Sequence, residues 1–197
     1  MIDRTISIAI VQGSVRPGNF TAKAVAVVAD ELRQQSQVSV DVIDPATLDL
    51  PLPGAASENS GAEQLQERIQ NAIGVILATP EYHGGYSSVI KLAIENMGFP
   101  SVLKGKPVAL LGVAAGQIGA IKALEQLRSV VSHVGAIVLP GPVSIAGVQG
   151  KFDEGGNVID AQTDGAIRSV GTNLVHYIHD NLCPKMALEE MVRAEAA

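Results

Sequence analysis

The sequence predicts a doubly wound α/β domain, in which a parallel sheet carries helices on both faces. Short runs such as residues 5–11 (TISIAIV) are almost wholly apolar, as expected of parallel strands that are covered on both sides. Between such runs, apolar residues recur at helical spacing, with polar residues on the opposite face. Five predicted strands alternate with five predicted helices, and this alternation is typical of right-handed βαβ units.

The predicted elements follow one another without internal repeats, charge runs or a linker, so one domain is expected. The predicted strands cover residues 5–11, 38–43, 73–79, 107–113 and 136–139. The predicted helices cover residues 20–35, 63–72, 87–97, 119–131 and 163–179. The stretches 44–61 and 140–160 are rich in turn-forming residues and long for ordinary connections. Each stretch either forms the rim of an active site or a subunit contact, or is a mobile surface loop.

Composition narrows the classes of function. The chain has 197 residues, a formal charge of -6 and a pI near 5.1, which argues against a nucleic-acid binder because phosphate contacts need a basic face. The single cysteine, Cys183, excludes an intrachain disulfide and a cysteine-based zinc cluster, and we interpret it as a structural thiol. No apolar run has the length of a membrane span and residues 1–4 lead directly into a strand, so we expect a cytoplasmic protein.

The loop after the first strand has the composition of an anion site. It reads GSVRPGNFT, and it enters a helix whose first amides and dipole attract negative charge. Ser14, Asn19 and Thr21 add short donors, and Arg16 adds a planar fork of donors suited to phosphate. The loop lacks both the glycine spacing of a dinucleotide fold and the Gly-Lys-Ser/Thr of a P-loop, so a terminal monophosphate is favoured. The alternatives are that Asn19 or Thr21 only caps the helix and that Arg16 is a solvated cation.

The loop after the third predicted strand suits a flat ring. It reads TPEYHGGYS, in which proline and paired glycines favour a tight turn and allow close approach to the backbone. Tyr82 and Tyr86 are two of six aromatic residues in the chain, and they suit a planar heterocycle better than a core position. His83 is either a titrating group beside the ring or a surface residue. Glu81 is expected to hold the loop by accepting backbone hydrogen bonds.

The loop after the fourth predicted strand, AAGQIG, consists largely of small residues. Its amides could bind a carbonyl or a developing negative charge on a ring, although close packing between strand and helix explains the same residues. Its position beside the other two loops favours a role in ring binding, because ligands of open α/β sheets lie beyond the carboxyl ends of the strands.

Together the three loops resemble the NAD(P)H-dependent FMN reductase family of flavodoxin-like flavoproteins, which includes chromate, quinone and azo-dye reductases. The segments that carry the resemblance are GSVRPGNFT, PEYHGGYSSVIKLAIE and GVAAGQIGAIKALEQLR, and the similarity extends over residues 5–179. Ser14 and Arg16 match the usual family pattern, whereas Asn19 and Thr21 stand where serine and asparagine are commoner. The position of His83 is often asparagine in the family, and that of Asn96 is often tryptophan.

The resemblance implies a flavodoxin-like five-stranded parallel sheet of order 2-1-3-4-5 with helices on both faces over residues 1–182. Residues 183–197 have no counterpart in the family, and their sequence predicts a polar helical tail. It also implies that the residues of the first loop bind the FMN phosphate and that those of the other two border the isoalloxazine ring. The implied cofactor-binding residues are Ser14, Arg16, Asn19, Phe20, Thr21, Pro80, Glu81, Tyr82, His83, Gly84, Ala115, Gly116 and Gln117.

The implied activity is a ping-pong oxidoreductase, in which NAD(P)H delivers a hydride to flavin N5 and a quinone, free flavin, chromate or azo compound then takes the electrons. No side chain is required as an acid or base, and no metal is implied. Family members are commonly dimers or tetramers that associate through the helix corresponding to residues 87–97, from Ser87 to Met97. Two alternatives stay open: an FMN-binding carrier or sensor without turnover, and a dehydrogenase that uses Asp44 to bind a dinucleotide ribose.

Overall fold

The computed structural model of the chain describes residues 5–55 and 61–195, and its centre is a sheet of seven strands. The strands are β1 (Ile6–Gln12), β2 (Val38–Ile43), β3 (Gly74–Tyr82), β4 (Gly85–Tyr86), β5 (Pro107–Val113), β6 (Ile137–Val138) and β7 (Val143–Ile145). The helices are α1 (Phe20–Arg33), α2 (Gly61–Asn71), α3 (Ser88–Glu95), α4 (Ile121–His133), α5 (Ala161–Tyr177) and α6 (Cys183–Glu195).

The main path of the sheet has the order β2-β1-β3-β5-β6, and its strands are all parallel. This confirms the flavodoxin-like class and the predicted order of five strands. Two short strands were not predicted: β4 pairs antiparallel with β3, and β7 pairs parallel with β5 beyond β6. The sheet therefore has seven strands rather than five.

Each face of the sheet has its own apolar core, because successive residues of a strand point to opposite faces. Helices α1 and α5 cover one face, where Val28, Leu32 and Ile167 are fully buried. Helices α2, α3 and α4 cover the other, and the central strands are buried on both sides. This double burial explains why those strands are continuous apolar runs rather than alternating ones.

The two stretches predicted to be irregular differ in the structure. Residues 140–160 contain β7, a 3₁₀ turn at Val148–Gly150 and a bridge between Phe152 and Val158, so this stretch is more ordered than predicted. The stretch 44–61 contains a 3₁₀ turn at Pro45–Thr47, and its residues 56–60 lie outside the described residues.

Helix α5 continues through a π-helical turn, Ile178–Leu182, into α6, so one helical segment crosses the boundary predicted between domain and tail. Leu188, Met191 and Val192 of α6 are exposed. Within the described residues, no helix combines the length and the apolar character that crossing a membrane requires.

Candidate functional site

Three loops leave the sheet at the same edge. The strands β1, β3 and β5 are adjacent and parallel, with Gln12 opposite Ala78 and Pro80 opposite Val113. The chain runs from β1 outward to β2 and then back to β3, so the strand order reverses between β1 and β3, where ligands of such sheets bind. The loops are named here the β1 loop (residues 13–19), the β3 loop (residues 80–87) and the β5 loop (residues 114–120).

The β1 loop begins in close contact with β3. The amide of Gly13 donates a hydrogen bond of 2.7 Å to the carbonyl oxygen of Ala78. A Cβ atom at residue 13 would overlap that same oxygen, so only glycine allows this approach. The close contact fixes the backbone immediately before Ser14.

Ser14 carries the clearest sign of a ligand. Its side chain is buried, with 2% exposure, and its hydroxyl has no hydrogen-bond partner among the described residues. Its carbonyl oxygen, in contrast, accepts a hydrogen bond of 2.8 Å from the side-chain amide of Gln12. Buried hydroxyls normally have partners, since an unsatisfied one loses its bonds to water without replacement. A phosphate oxygen is the type of acceptor that this hydroxyl lacks, so the residues present fit an FMN phosphate.

Asn19 holds the loop in shape. As the N-cap of α1, it accepts a hydrogen bond of 2.8 Å from the amide of Ala22. Its side-chain NH₂ donates to the carbonyl oxygens of Arg16 at 2.6 Å and Ser14 at 3.3 Å. The side chain is half-buried, and both ends of its amide are engaged with backbone groups. The structure therefore gives Asn19 the capping role that the sequence left as an alternative, and its contact with phosphate stays a prediction.

Phe20 and Thr21 lie in the first turn of α1. The ring of Phe20 lies 6.0 Å from that of Phe152 and 5.1 Å from the ammonium of Lys23. Thr21 is buried, with 1% exposure. Phe20 thus packs toward the segment around Phe152, and the contacts of Phe20 and Thr21 with a cofactor stay predictions.

Arg16 connects the β1 loop to the β3 loop. Its guanidinium carbon lies 4.8 Å from the centre of the Tyr82 ring, which is within the range of a cation–π interaction. Both side chains are exposed. The predicted phosphate-binding cation and the predicted ring-binding aromatic residue therefore lie side by side at the mouth of the site.

The β3 loop is a tight hairpin. Pro80 and Glu81 still belong to β3, Tyr82 pairs with Gly85, and His83 and Gly84 form the turn with φ values of 51° and 77°. Such a two-residue turn needs positive φ at both positions, and the second is usually glycine. His83 is the one non-glycine residue with positive φ in the described part of the chain, and its side chain is exposed. The spacing Tyr-His-Gly-Gly-Tyr could have predicted this hairpin.

Ser87 joins the β3 loop to the β1 loop and is itself held by Thr79 of β3, and sequence reasoning missed both residues. The buried hydroxyl of Ser87 donates to the carbonyl oxygen of Gly13 at 2.6 Å and caps α3 by accepting from the amide of Ile90 at 3.1 Å. The hydroxyl of Thr79 accepts a hydrogen bond of 3.0 Å from the amide of Ser87. A serine before an apolar helical pattern is an N-cap signal, so the sequence could have given the cap but not its second partner.

The β5 loop presents its backbone to the same edge. Ala115, Gly116 and Gln117 are exposed, and the carbonyl oxygen of Gly116 accepts hydrogen bonds from the amides of Gly119 and Gly147. The loop thus has a fixed shape, and Ala115 and Gly116 leave its backbone accessible where it leaves β5, which suits the approach of a flat ligand.

The structure gives less support to two other kinds of site, a dinucleotide site at Asp44 and a metal site. The carboxylate of Asp44 accepts a hydrogen bond of 2.9 Å from the amide of Ala46, so it caps the 3₁₀ turn that follows β2. Over the described ranges, no three His, Cys, Asp or Glu side chains cluster closely enough to hold a metal ion. The features that suit an anion are the Ser14 hydroxyl and the Arg16 guanidinium, and those that suit a flat ring are Tyr82 and the backbone of the β5 loop.

Comparisons with known proteins identify the family of this chain. A family model described as NADPH-dependent FMN reductase matches residues 6–150. The NADH-dependent flavin reductase subunit 2 of Lactobacillus johnsonii is 35% identical over 156 residues, which cover 74% of this chain and 84% of that protein. A quinone reductase of Escherichia coli is 34% identical over 161 residues, which cover 77% and 84%.

Solved structures support the same fold. FerB, a flavoenzyme NAD(P)H:(acceptor) oxidoreductase from Paracoccus denitrificans, matches with a TM-score of 0.75 at 24% identity. The match covers 89% of this chain and 98% of that chain.

Proposed function

This chain belongs to the NADPH-dependent FMN reductase family and is an oxidoreductase that uses FMN and NAD(P)H, and we propose that it reduces quinones by a ping-pong mechanism. When bound, FMN would supply the redox chemistry: a hydride from NAD(P)H would be taken up at N5 and, after the oxidised nicotinamide has left, the hydride and a proton from solvent would convert the quinone to a hydroquinone. Free flavin, chromate and azo compounds are the other acceptors to be screened.

The buried, unpartnered hydroxyl of Ser14 is the observation that carries this proposal. It lies in a loop that also contains Arg16 and leads into the N-terminus of α1, so hydroxyl, guanidinium and helix dipole favour the same charged group. Tyr82 and the backbone of the β5 loop are the groups proposed to border the flat ring. No side chain of the chain is proposed as an acid or base.

The test compares Arg16→Ala with Arg33→Ala, which removes an exposed arginine at the other end of α1. Since a hydrogen bond to a charged group contributes about 1.5–3 kcal/mol, we expect Arg16→Ala to weaken FMN binding by about 10- to 100-fold. Arg33→Ala should bind FMN as the wild type does. Quenching of FMN fluorescence measures binding, and loss of NAD(P)H absorbance with benzoquinone measures turnover.

Three results would contradict the proposal. Wild-type protein that binds no FMN would remove its basis. Tight FMN binding without NAD(P)H oxidation in the presence of any of these acceptors would favour a carrier or sensor. If Asp44→Ala abolished nicotinamide binding in flavin-free protein while Arg16→Ala had little effect, the chain would be a dinucleotide-binding dehydrogenase.

We also propose that the enzyme is a cytoplasmic homodimer or homotetramer that associates through the segment 87–97, and that residues 1–182 form its reductase domain, with residues 183–197 as a tail. Leu92 on α3 is only partly buried in the single chain, as an interface residue would be. Light scattering of the wild type and of Leu92→Lys measures the mass of each assembly. A monomeric wild type, or a variant with the same mass as an oligomeric wild type, would contradict association through this segment.

A further inference from the structure

Helix α4 starts without a cap of its own. Its N-cap position is Ala120, which has no side-chain hydrogen bond to offer, although the first amides of a helix need acceptors. Two side chains from other elements supply them. The hydroxyl of Ser144 in β7 accepts from the amide of Ala120 at 2.8 Å, and the carboxylate of Glu81 in β3 accepts from the amide of Ala123 at 3.0 Å.

Glu81 is placed so that this bond joins two parts of the site. It precedes Tyr82 in the chain and pairs with Tyr86 across the hairpin, so it belongs to the rigid base of the β3 loop. A second bond follows the same direction, because the side-chain amide of Gln126 in α4 donates to the carbonyl oxygen of Gly84 at 3.0 Å. The hairpin is therefore fastened to α4 at two points.

The position of α4 in turn determines that of the β5 loop, which leads directly into it. On its far side, this loop is held by β7 and the turn after it, where Ala114 donates to the carbonyl oxygen of Ile145 at 2.9 Å and its own carbonyl oxygen accepts from the amide of Val148 at 3.0 Å. On the side of the β3 loop, the ties from Glu81 and Gln126 hold the helix. These ties therefore connect the hairpin that carries Tyr82 with the helix into which the β5 loop leads.

We propose that Glu81 is a positioning residue, which sets the width of the ring-binding gap by capping α4 from the neighbouring strand. This inference rests on the proposed function in assigning FMN to the gap. A carboxylate at the N-terminus of a helix is an effective cap because it both accepts the amide hydrogen and complements the dipole. Its effect on FMN is indirect: it lowers the cost of ordering the two loops when the ring binds.

The experiment compares three variants, measured by FMN fluorescence quenching and by thermal unfolding of the flavin-free protein. Glu81→Ala removes the cap, and Glu81→Gln keeps an acceptor oxygen. Asp160→Ala is the matched control, because Asp160 caps α5 by accepting from the amide of Thr163 at 2.8 Å and lies outside the three loops.

We expect Glu81→Ala to weaken FMN binding about tenfold and Glu81→Gln to stay within about threefold of wild type. Asp160→Ala should lower the unfolding temperature about as much as Glu81→Ala does and should leave FMN binding within about twofold. The inference is overturned if Glu81→Ala binds FMN like wild type, or if Asp160→Ala weakens binding to the same degree.

Amide hydrogen exchange of flavin-free protein separates this inference from the proposed function. Glu81→Ala should exchange faster than wild type over residues 114–124, and Asp160→Ala should not. Unchanged exchange over that segment in Glu81→Ala overturns the positioning role, even if the wild type proves to be an FMN reductase. Faster exchange in a wild type that binds no FMN refutes the proposed function while supporting the bracing of α4.

Discussion

Replacing Ser14 by alanine should have opposite effects on the stability of the flavin-free protein and on its affinity for FMN. The hydroxyl is buried and has no partner among the described residues, and an unsatisfied buried hydroxyl costs about 1–3 kcal/mol. Removing it should raise the unfolding temperature of flavin-free protein by about 2–4 °C for each kcal/mol recovered. The same change removes a charge-assisted hydrogen bond to phosphate, so FMN should bind about 10- to 100-fold more weakly.

The assay for this prediction is a thermal melt of flavin-free protein together with an FMN titration, for wild type, Ser14→Ala and Ser36→Ala. Ser36 is an exposed serine in the turn after α1, and its replacement should change neither quantity. The reasoning is refuted if Ser14→Ala melts at a lower temperature than wild type and binds FMN equally well. That pair of results would mean that the hydroxyl has a structural partner and does not meet the ligand.

Two further predictions concern the scaffold around the site. Arg168 joins α5 to α1 through Asp30 and Glu31 and also pairs with Asp164 within α5, and its hydrogen bond to Asp30 holds the pKa of that carboxylate below the ordinary value. A lowered folded-state pKa stabilises the fold above the unfolded pKa, about 3.9, and this contribution is lost as pH falls through the folded value. Arg168→Met should therefore unfold at a lower temperature than wild type at pH 7, and the difference in unfolding temperature should disappear below about pH 4. Thermal melts of both proteins from pH 7 to pH 3 measure this difference. A difference that does not change with pH would contradict the stabilising role of the ion pair. Gly13→Ala should lower the unfolding temperature because the added Cβ would overlap the carbonyl oxygen of Ala78. The control is Gly165→Ala, at an open position on α5, which should stabilise the protein by about 1 kcal/mol. Equal unfolding temperatures of the two variants would contradict the close approach of Gly13 to Ala78.

The sequence predicted the fold well where burial dominates. The strands β1, β3 and β5 are apolar on both faces, so their positions follow from hydrophobicity alone. The predicted bounds of β5 match the structure, and those of β1 and β3 differ from it by one to three residues at each end. It predicted less where hydrogen bonding dominates. The two strands that it missed, β4 and β7, have two and three residues, too few for a period to be visible.

The site shows the same division. The sequence identified the loops because glycine, proline, hydroxyls and tyrosines stand at the ends of strands. It could not identify the ties between loops, such as the bond from Ser87 to Gly13, because their partners are separated by 74 positions in the chain. Asn19 is the instructive case: its residue type fits both a phosphate ligand and a helix cap, and only coordinates show that its amide already contacts Ala22, Arg16 and Ser14.

The contrast between Asn19 and Ser14 indicates that different residues of the β1 loop fix its shape and bind the ligand. Asn19 uses its donors and acceptor on the backbone, and this fixes the path of the loop before any ligand binds. Gln12 also fixes the path of the loop, because its side-chain amide donates a hydrogen bond to the carbonyl oxygen of Ser14. The hydroxyl of Ser14 is then held in a buried position without an internal partner, which is costly for the protein alone and favourable once an anion supplies the acceptor. A loop whose polar groups were all satisfied internally would be more stable and would bind phosphate less well.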